Sequence, residues 1–126
     1  MLRILALTAI AAMGAQSAEA CMCFSPKLRA EAAQRFLREA TFVIHAQVIA
    51  VSSSGEGTLL VMESFKGPPK GAEVKVPASS EYCNVVRFTV GEEALITAFG
   101  GKVGGCDKYS APEPFVLDAY RKAKRA

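Results

Sequence analysis

The chain has 126 residues, 51% of them hydrophobic, and a formal net charge of +3. That mild basicity is too weak to argue for a nucleic-acid partner, and no apolar run is long enough to cross a bilayer. Four cysteines, Cys21, Cys23, Cys83 and Cys106, form an even set in a short chain, which reads as two disulfides in one exported domain.

Residues 1–20 have the layout of a secretory signal. Arg3 gives the positive start, Ile4 to Met13 the apolar run, and Ala18-Glu19-Ala20 the small-x-small cleavage site. The working protein is therefore expected to be residues 21–126, beginning at Cys21 in a secreted or periplasmic setting. A cysteine just after the cut also raises lipidation, but the large apolar residue expected three positions earlier is missing and Glu19 sits two before it.

Ser25 and Pro26 have the chemistry of a helix cap and first turn. The spacing of Leu28, Ala32, Phe36 and Ala40, with Ala33 and Leu37 beside them, predicts one amphipathic helix ending near Glu39. Lys27, Arg29, Gln34, Arg35 and Arg38 fall on its solvated face. Thr41 to Val51 predicts a long curved strand, with Phe42, Ile44, Ala46 and Val48 on one side and Val43, His45, Gln47 and Ile49 on the other. The small polar turn 52–57 leads to a returning strand, Thr58 to Phe65, so the pair is expected to be a hairpin.

Residues 66–71 form the next break. In Ala72 to Val76, Ala72, Val74 and Val76 alternate with outward Glu73 and Lys75. Ser79 to Asn84 reads as a polar stretch carrying Cys83, and Val85 to Val90 as a short strand. Gly91-Glu92 follows as a tight turn and Ala94 to Phe99 as a buried strand. A glycine-rich loop reaches Cys106. From Pro112 a last helix is expected, with Phe115, Val116, Ala119 and Tyr120 inward and a basic run, Arg121 to Arg125, as a frayed solubilising end. Five strands with two helices imply a mainly β domain; a Greek-key barrel fits the count, as do a sandwich and a split α+β sheet.

Ordinary catalytic sets are absent. The single histidine, His45, reads as a surface or half-buried strand residue, and Glu92 and Glu93 as solvated neighbours that point apart. A four-cysteine zinc site needs closely spaced pairs at both ends, and Cys83 and Cys106 are far apart. A Cys21–Cys23 bridge would be a strained ring, so both are expected to reach inward, one to Cys83 and one to Cys106. Each such bridge is worth about 4 kcal/mol in the chain-entropy model. The distinctive group is the new terminus. The α-amino group of Cys21, with an unperturbed pKa of about 8, and its carbonyl oxygen can chelate a metal when the amine is neutral. Anchoring a loose terminus is the plainer reading of the same spacing.

Cys21-Met22-Cys23 after a signal peptide, Phe42 to Gln47, Glu63 to Gly67, the Cys83 region, Gly91 to Ile96 and Cys106 occur in the order seen in netrin-like domains. Over residues 21–110 the chain most resembles the tissue inhibitors of metalloproteinases and their small bacterial relatives. The resemblance implies a five-stranded OB-fold barrel with an N-terminal and a C-terminal helix. It also implies the pairings Cys21–Cys83 and Cys23–Cys106. By the same resemblance the protein is a non-enzymatic inhibitor with no cofactor of its own and a zinc metalloproteinase as partner. Cys21 would chelate the protease's zinc in trans, Met22 would enter the adjoining pocket, and Cys23 would complete the contact. Ser52–Gly57 and Ser79–Cys83 would flank it. The family's third disulfide and cysteine-rich second domain are missing here. A netrin-like binding module for an envelope protein or an anionic polymer is the alternative function.

Overall fold

The structure, a computed structural model, describes residues 22–126. The export signal expected at 1–20 and Cys21 lie outside the described residues. The described chain is mainly β. Helices α1 (Pro26–Glu31) and α2 (Ala33–Glu39) precede strands β1 (Phe42–Val51), β2 (Gly57–Lys66), β3 (Glu73–Val76), β4 (Ser79–Glu81), β5 (Asn84–Val86), β6 (Glu93–Ala98) and β7 (Lys108–Ser110), and helix α3 (Pro114–Arg125) ends it. Five strands form one antiparallel sheet in the order β3-β2-β1-β6-β7; β4 and β5 form a separate hairpin.

The long β1–β2 hairpin organises the molecule. Its register shifts at Val43/Ile44, His45/Ala46 and Val48/Ala50, and such irregularities bend and twist a ladder. Over Val43–Ala46 both faces of β1 are buried, between two separate cores. Ile44, Ala46 and Val48 join Leu59, Val61, Val76, Ala94 and Ile96 in one core, together with Val86 at the end of the β4–β5 hairpin and Phe88 just after it. Val43 turns the other way, into a second core with Phe65, Leu95 and the helix residues Ala33, Ala40, Val116, Leu117 and Tyr120. Each large side chain sealed in this way stabilises the fold by roughly 1.5–3 kcal/mol. Gly57 is required at the start of β2, because a Cβ there would lie 2.6 Å from the Phe88 ring.

The hairpin, β3 with Val74 and Val76 toward the core, and the buried β6 match the sequence pattern. Other elements differ. The first helix is broken at Ala32, where ψ opens to −1°. Its inward positions begin at Arg29, 8% exposed, whereas Leu28 is 48% exposed. Arg29 tolerates burial because carbonyl oxygens meet its guanidinium. The polar stretch 79–84 contains β4 and a turn, and strand structure after Cys83 ends at Val86 rather than Val90. Strand β7, with two polar residues among three, carries no apolar alternation and was not expected. Phe115 is exposed and Leu117 buried in its place.

The basic end is helical through Arg125 rather than frayed. Its Arg121 is bonded to Glu63 at 2.7–3.2 Å and to Asp118 at 2.6 Å, and Lys124 donates to the Ser64 carbonyl at 2.8 Å. Among the described residues no helix is long and apolar enough to cross a membrane.

Candidate functional site

The Met22–Ser25 segment has no regular secondary structure, yet it is fastened at two points. Cys23 is bonded to Cys106 with their Cα atoms 5.3 Å apart. The carbonyl of Phe24 accepts from Arg29 Nε at 3.2 Å, while Arg29 Nη2 donates to the Cys106 carbonyl at 2.9 Å. The guanidinium also lies 4.2 Å above the Tyr109 ring, a cation–π contact that helps a charge live inside the protein. Burial still lowers the Arg29 pKa, against the opposing fields of Tyr109, Tyr120, Asp107 and Glu113.

Cys106 sits in a 3₁₀ turn, Gly105–Asp107. Asp107 Oδ2 accepts from the Gly104 amide at 2.7 Å, and the Gly105 amide donates to Asn84 Oδ1 at 2.8 Å. A Cβ at Gly105 would come within 3.1–3.2 Å of the Asn84–Val85 backbone, so the turn seats directly on β5. The Tyr82–Cys83 turn of the β4–β5 hairpin thereby comes beside the bridge. Cys23, Tyr82, Cys83, Val85 and Cys106 share one surface depression of about 470 Å³. Cys83 has a φ of 59° and is disulfide-bonded.

Of the expected contact residues, Met22 is 77% exposed and directly precedes the bridged Cys23. Cys21, with its expected role as zinc chelator and its Cys83 pairing, lies outside the described residues. Tyr82, 71% exposed, stands at the same end as Met22, and so do Phe24 and Val85. The 52–57 loop is a tight turn, with Ser52 N bonded to Glu56 O at 2.9 Å and Gly55 packed on Ala78. It does not line the depression beside the bridge. Tyr82 falls in the Ser79–Cys83 segment expected to flank the contact, and the structure does place it beside the bridge. Phe24 and Arg29 are not among the sequence-expected site residues; for Phe24 the available signal is adjacency to a cysteine.

The remaining titratable candidates are placed elsewhere. His45 is buried, not exposed, because both faces of β1 are covered. Its Nε2 lies 3.1 Å from Glu93 Oε1 but without hydrogen-bonding alignment. Glu92 is half-buried rather than solvated: Oε2 accepts from Thr89 N at 2.9 Å and Oε1 pairs with Lys108. The two acids do point apart, toward different partners. Among the described residues no group of three or more His, Cys, Asp or Glu is placed to hold a metal ion. Compared with protein-family models, curated proteins and solved structures, the chain matches none.

Proposed function

We propose that the protein is an extracytoplasmic, netrin-like OB-fold domain that inhibits a zinc metalloendopeptidase through a mature N-terminus at Cys21. The observation that carries this reading is the pairing of an exposed Met22 with a Cys23 bonded into the body of the domain. A chelating terminus must be held still, since a loose one loses entropy on docking. The bridge and Arg29 supply that restraint. Catalytic zinc keeps one position open for water, and an amine with its neighbouring carbonyl fills such a position. Met22 is unbranched and apolar, which suits entry into an apolar pocket beside the metal. Exposed Phe24, Tyr82 and Val85 extend an apolar surface around it, the usual mark of an interaction site. The curved antiparallel sheet, with a hairpin covering one core, supports the barrel in this reading.

Mass spectrometry of the exported protein tests the premise. A chain beginning at an unmodified Cys21 is expected; an acylated amine, or a cut elsewhere, ends this mechanism.

A second reading, binding of an anionic polymer, rests on a different surface. Arg38, Lys66 and Lys124 line one depression where α2, β2 and α3 meet, and Lys122 and Arg125 lie in the last turn of α3. Salt-dependent retention on a sulfated polysaccharide, lost on replacing Lys124 and Arg125 by Ser, would favour it. Unchanged retention would exclude it.

A further inference from the structure

A second depression lies on the other side of the Cys23–Cys106 bridge, with a volume of about 250 Å³. Its walls are aromatic. Phe24 stacks on Phe36 with ring centroids 6.0 Å apart, and Phe36 meets Phe99 edge-on at 5.8 Å. Thr97, Asp107 and Arg29 supply the polar part of the lining.

Arg29 is the unusual member. It is only 8% exposed, and among the described residues no carboxylate comes within ion-pair distance of it. Two of its nitrogens, Nε and Nη2, donate to carbonyl oxygens, and the third, Nη1, donates to no group among the described residues. Cations so deeply buried are ordinarily paired with an anion. Burial lowers its pKa, against the weaker opposing fields of Tyr109, Tyr120, Asp107 and Glu113. Asp107, half-buried in the same lining, and Glu113 act on it only from beyond ion-pair distance, and Asp107 Oδ2 accepts from the Gly104 amide.

We propose that this cavity binds a small amphipathic monocarboxylate, with the acid on Arg29 and the apolar body against Phe24, Phe36 and Phe99. The volume suits a body of roughly eight to ten non-hydrogen atoms. A guanidinium recognises a carboxylate through directed, charge-assisted hydrogen bonds, so the acid group sets selectivity and the rings set size. Met22, Cys23 and Phe24 also line this cavity, so it adjoins the proposed inhibitory segment, but its acid anchor is Arg29 and its binding of a small acid does not require inhibition.

The test is an NMR titration of the ¹⁵N-labelled, disulfide-bonded protein at pH 7 with octanoate, octan-1-ol and octylamine. Octanoate should shift the Thr97 and Phe99 amides and the Arg29 Nε–H saturably, and bind about tenfold or more tightly than either other compound. Arg29→Met should bring octanoate down to the level of octan-1-ol. The comparison of three ligands on the unaltered protein stands even if that variant does not fold. Phe24→Glu, at a 45% exposed position, should weaken octanoate and strengthen octylamine. Equal binding of all three compounds, a preference for octylamine, or no saturable shift at these residues would overturn the proposal.

Discussion

Arg29 Nη2 donates to the carbonyl oxygen of Cys106 at 2.9 Å, so α1 grips the same turn that Cys23 holds covalently. The two restraints are independent in chemistry and act on one backbone segment. Arg29→Met keeps most of the aliphatic volume but strips donors from the Phe24 and Cys106 carbonyls. A loss of about 2–4 kcal/mol is expected in urea denaturation, as for other buried hydrogen bonds to charged groups. A loss below about 1 kcal/mol would mean that water replaces the guanidinium without cost.

Replacing both Cys23 and Cys106 by Ser opens a link between residues separated by 83 positions. The chain-entropy argument gives a destabilisation of about 4 kcal/mol. Protease cleavage near Met22 should then become faster, since one restraint on that segment is gone while the Arg29 contacts remain. Unchanged cleavage would show that the bridge is not what immobilises the terminus.

Gly57→Ala should destabilise by about 1–3 kcal/mol, because the added methyl meets the Phe88 ring at 2.6 Å inside a filled core. The double variant with Phe88→Leu should recover part of that loss. Thermal denaturation of the single and double variants decides it; equal melting temperatures for Gly57→Ala and the parent would contradict the packing described.

A carboxyl and two phenols give pH signatures of opposite sign. The hydrogen bonds from Arg121 hold the Glu63 carboxyl below its ordinary value of 4.5. Its folded pKa is depressed, so its contribution is present above about pH 4.5 and is lost as the pH falls through the folded value. Both side chains are about one-third exposed, which limits the effect to about 1 kcal/mol or less. Glu63→Gln should flatten that part of the acid limb.

Burial pushes the Tyr120 phenol up to about 12, and desolvation together with the Glu113 hydrogen bond does the same for Tyr109. Here the folded value is raised, so the stability is present below pH 10 and is lost as the pH rises through 12. In a spectrophotometric titration both phenols should remain largely neutral at pH 11 in the folded protein. In denaturant they should ionise near pH 10.

How much of this was legible in the sequence follows from how local each cause is. The β1–β2 hairpin announces itself by β-branched strands either side of a small polar turn, and β6 by its nearly continuous apolar run. The α3 helix is legible from its turn-by-turn apolar positions, although Phe115 and Leu117 exchange roles at its start. Arg29 reads as solvated in the sequence because the carbonyl that accepts from it lies 77 positions away. His45 looked polar-facing because a one-dimensional pattern does not show that helices cover the second face of β1. The β7 strand is held by pairing of its backbone with β6, which leaves no trace in the side-chain pattern Lys108-Tyr109-Ser110. At the candidate site, Met22 and Cys23 were visible in the sequence. The Ser79–Cys83 segment with Tyr82 was expected beside them; the aromatic wall of Phe24, Phe36 and Phe99 joins residues far apart in the chain and has no local signal.

The central claim is tested most directly by comparing two forms of the protein against a panel of zinc endopeptidases. One begins at Cys21 and the other carries a single additional N-terminal Ala. The account predicts that the first inhibits at least one enzyme, and that the extension weakens inhibition by about 100-fold, the loss of roughly 3 kcal/mol of metal ligation. Equal potency of the two forms, or no inhibition by either, would contradict it.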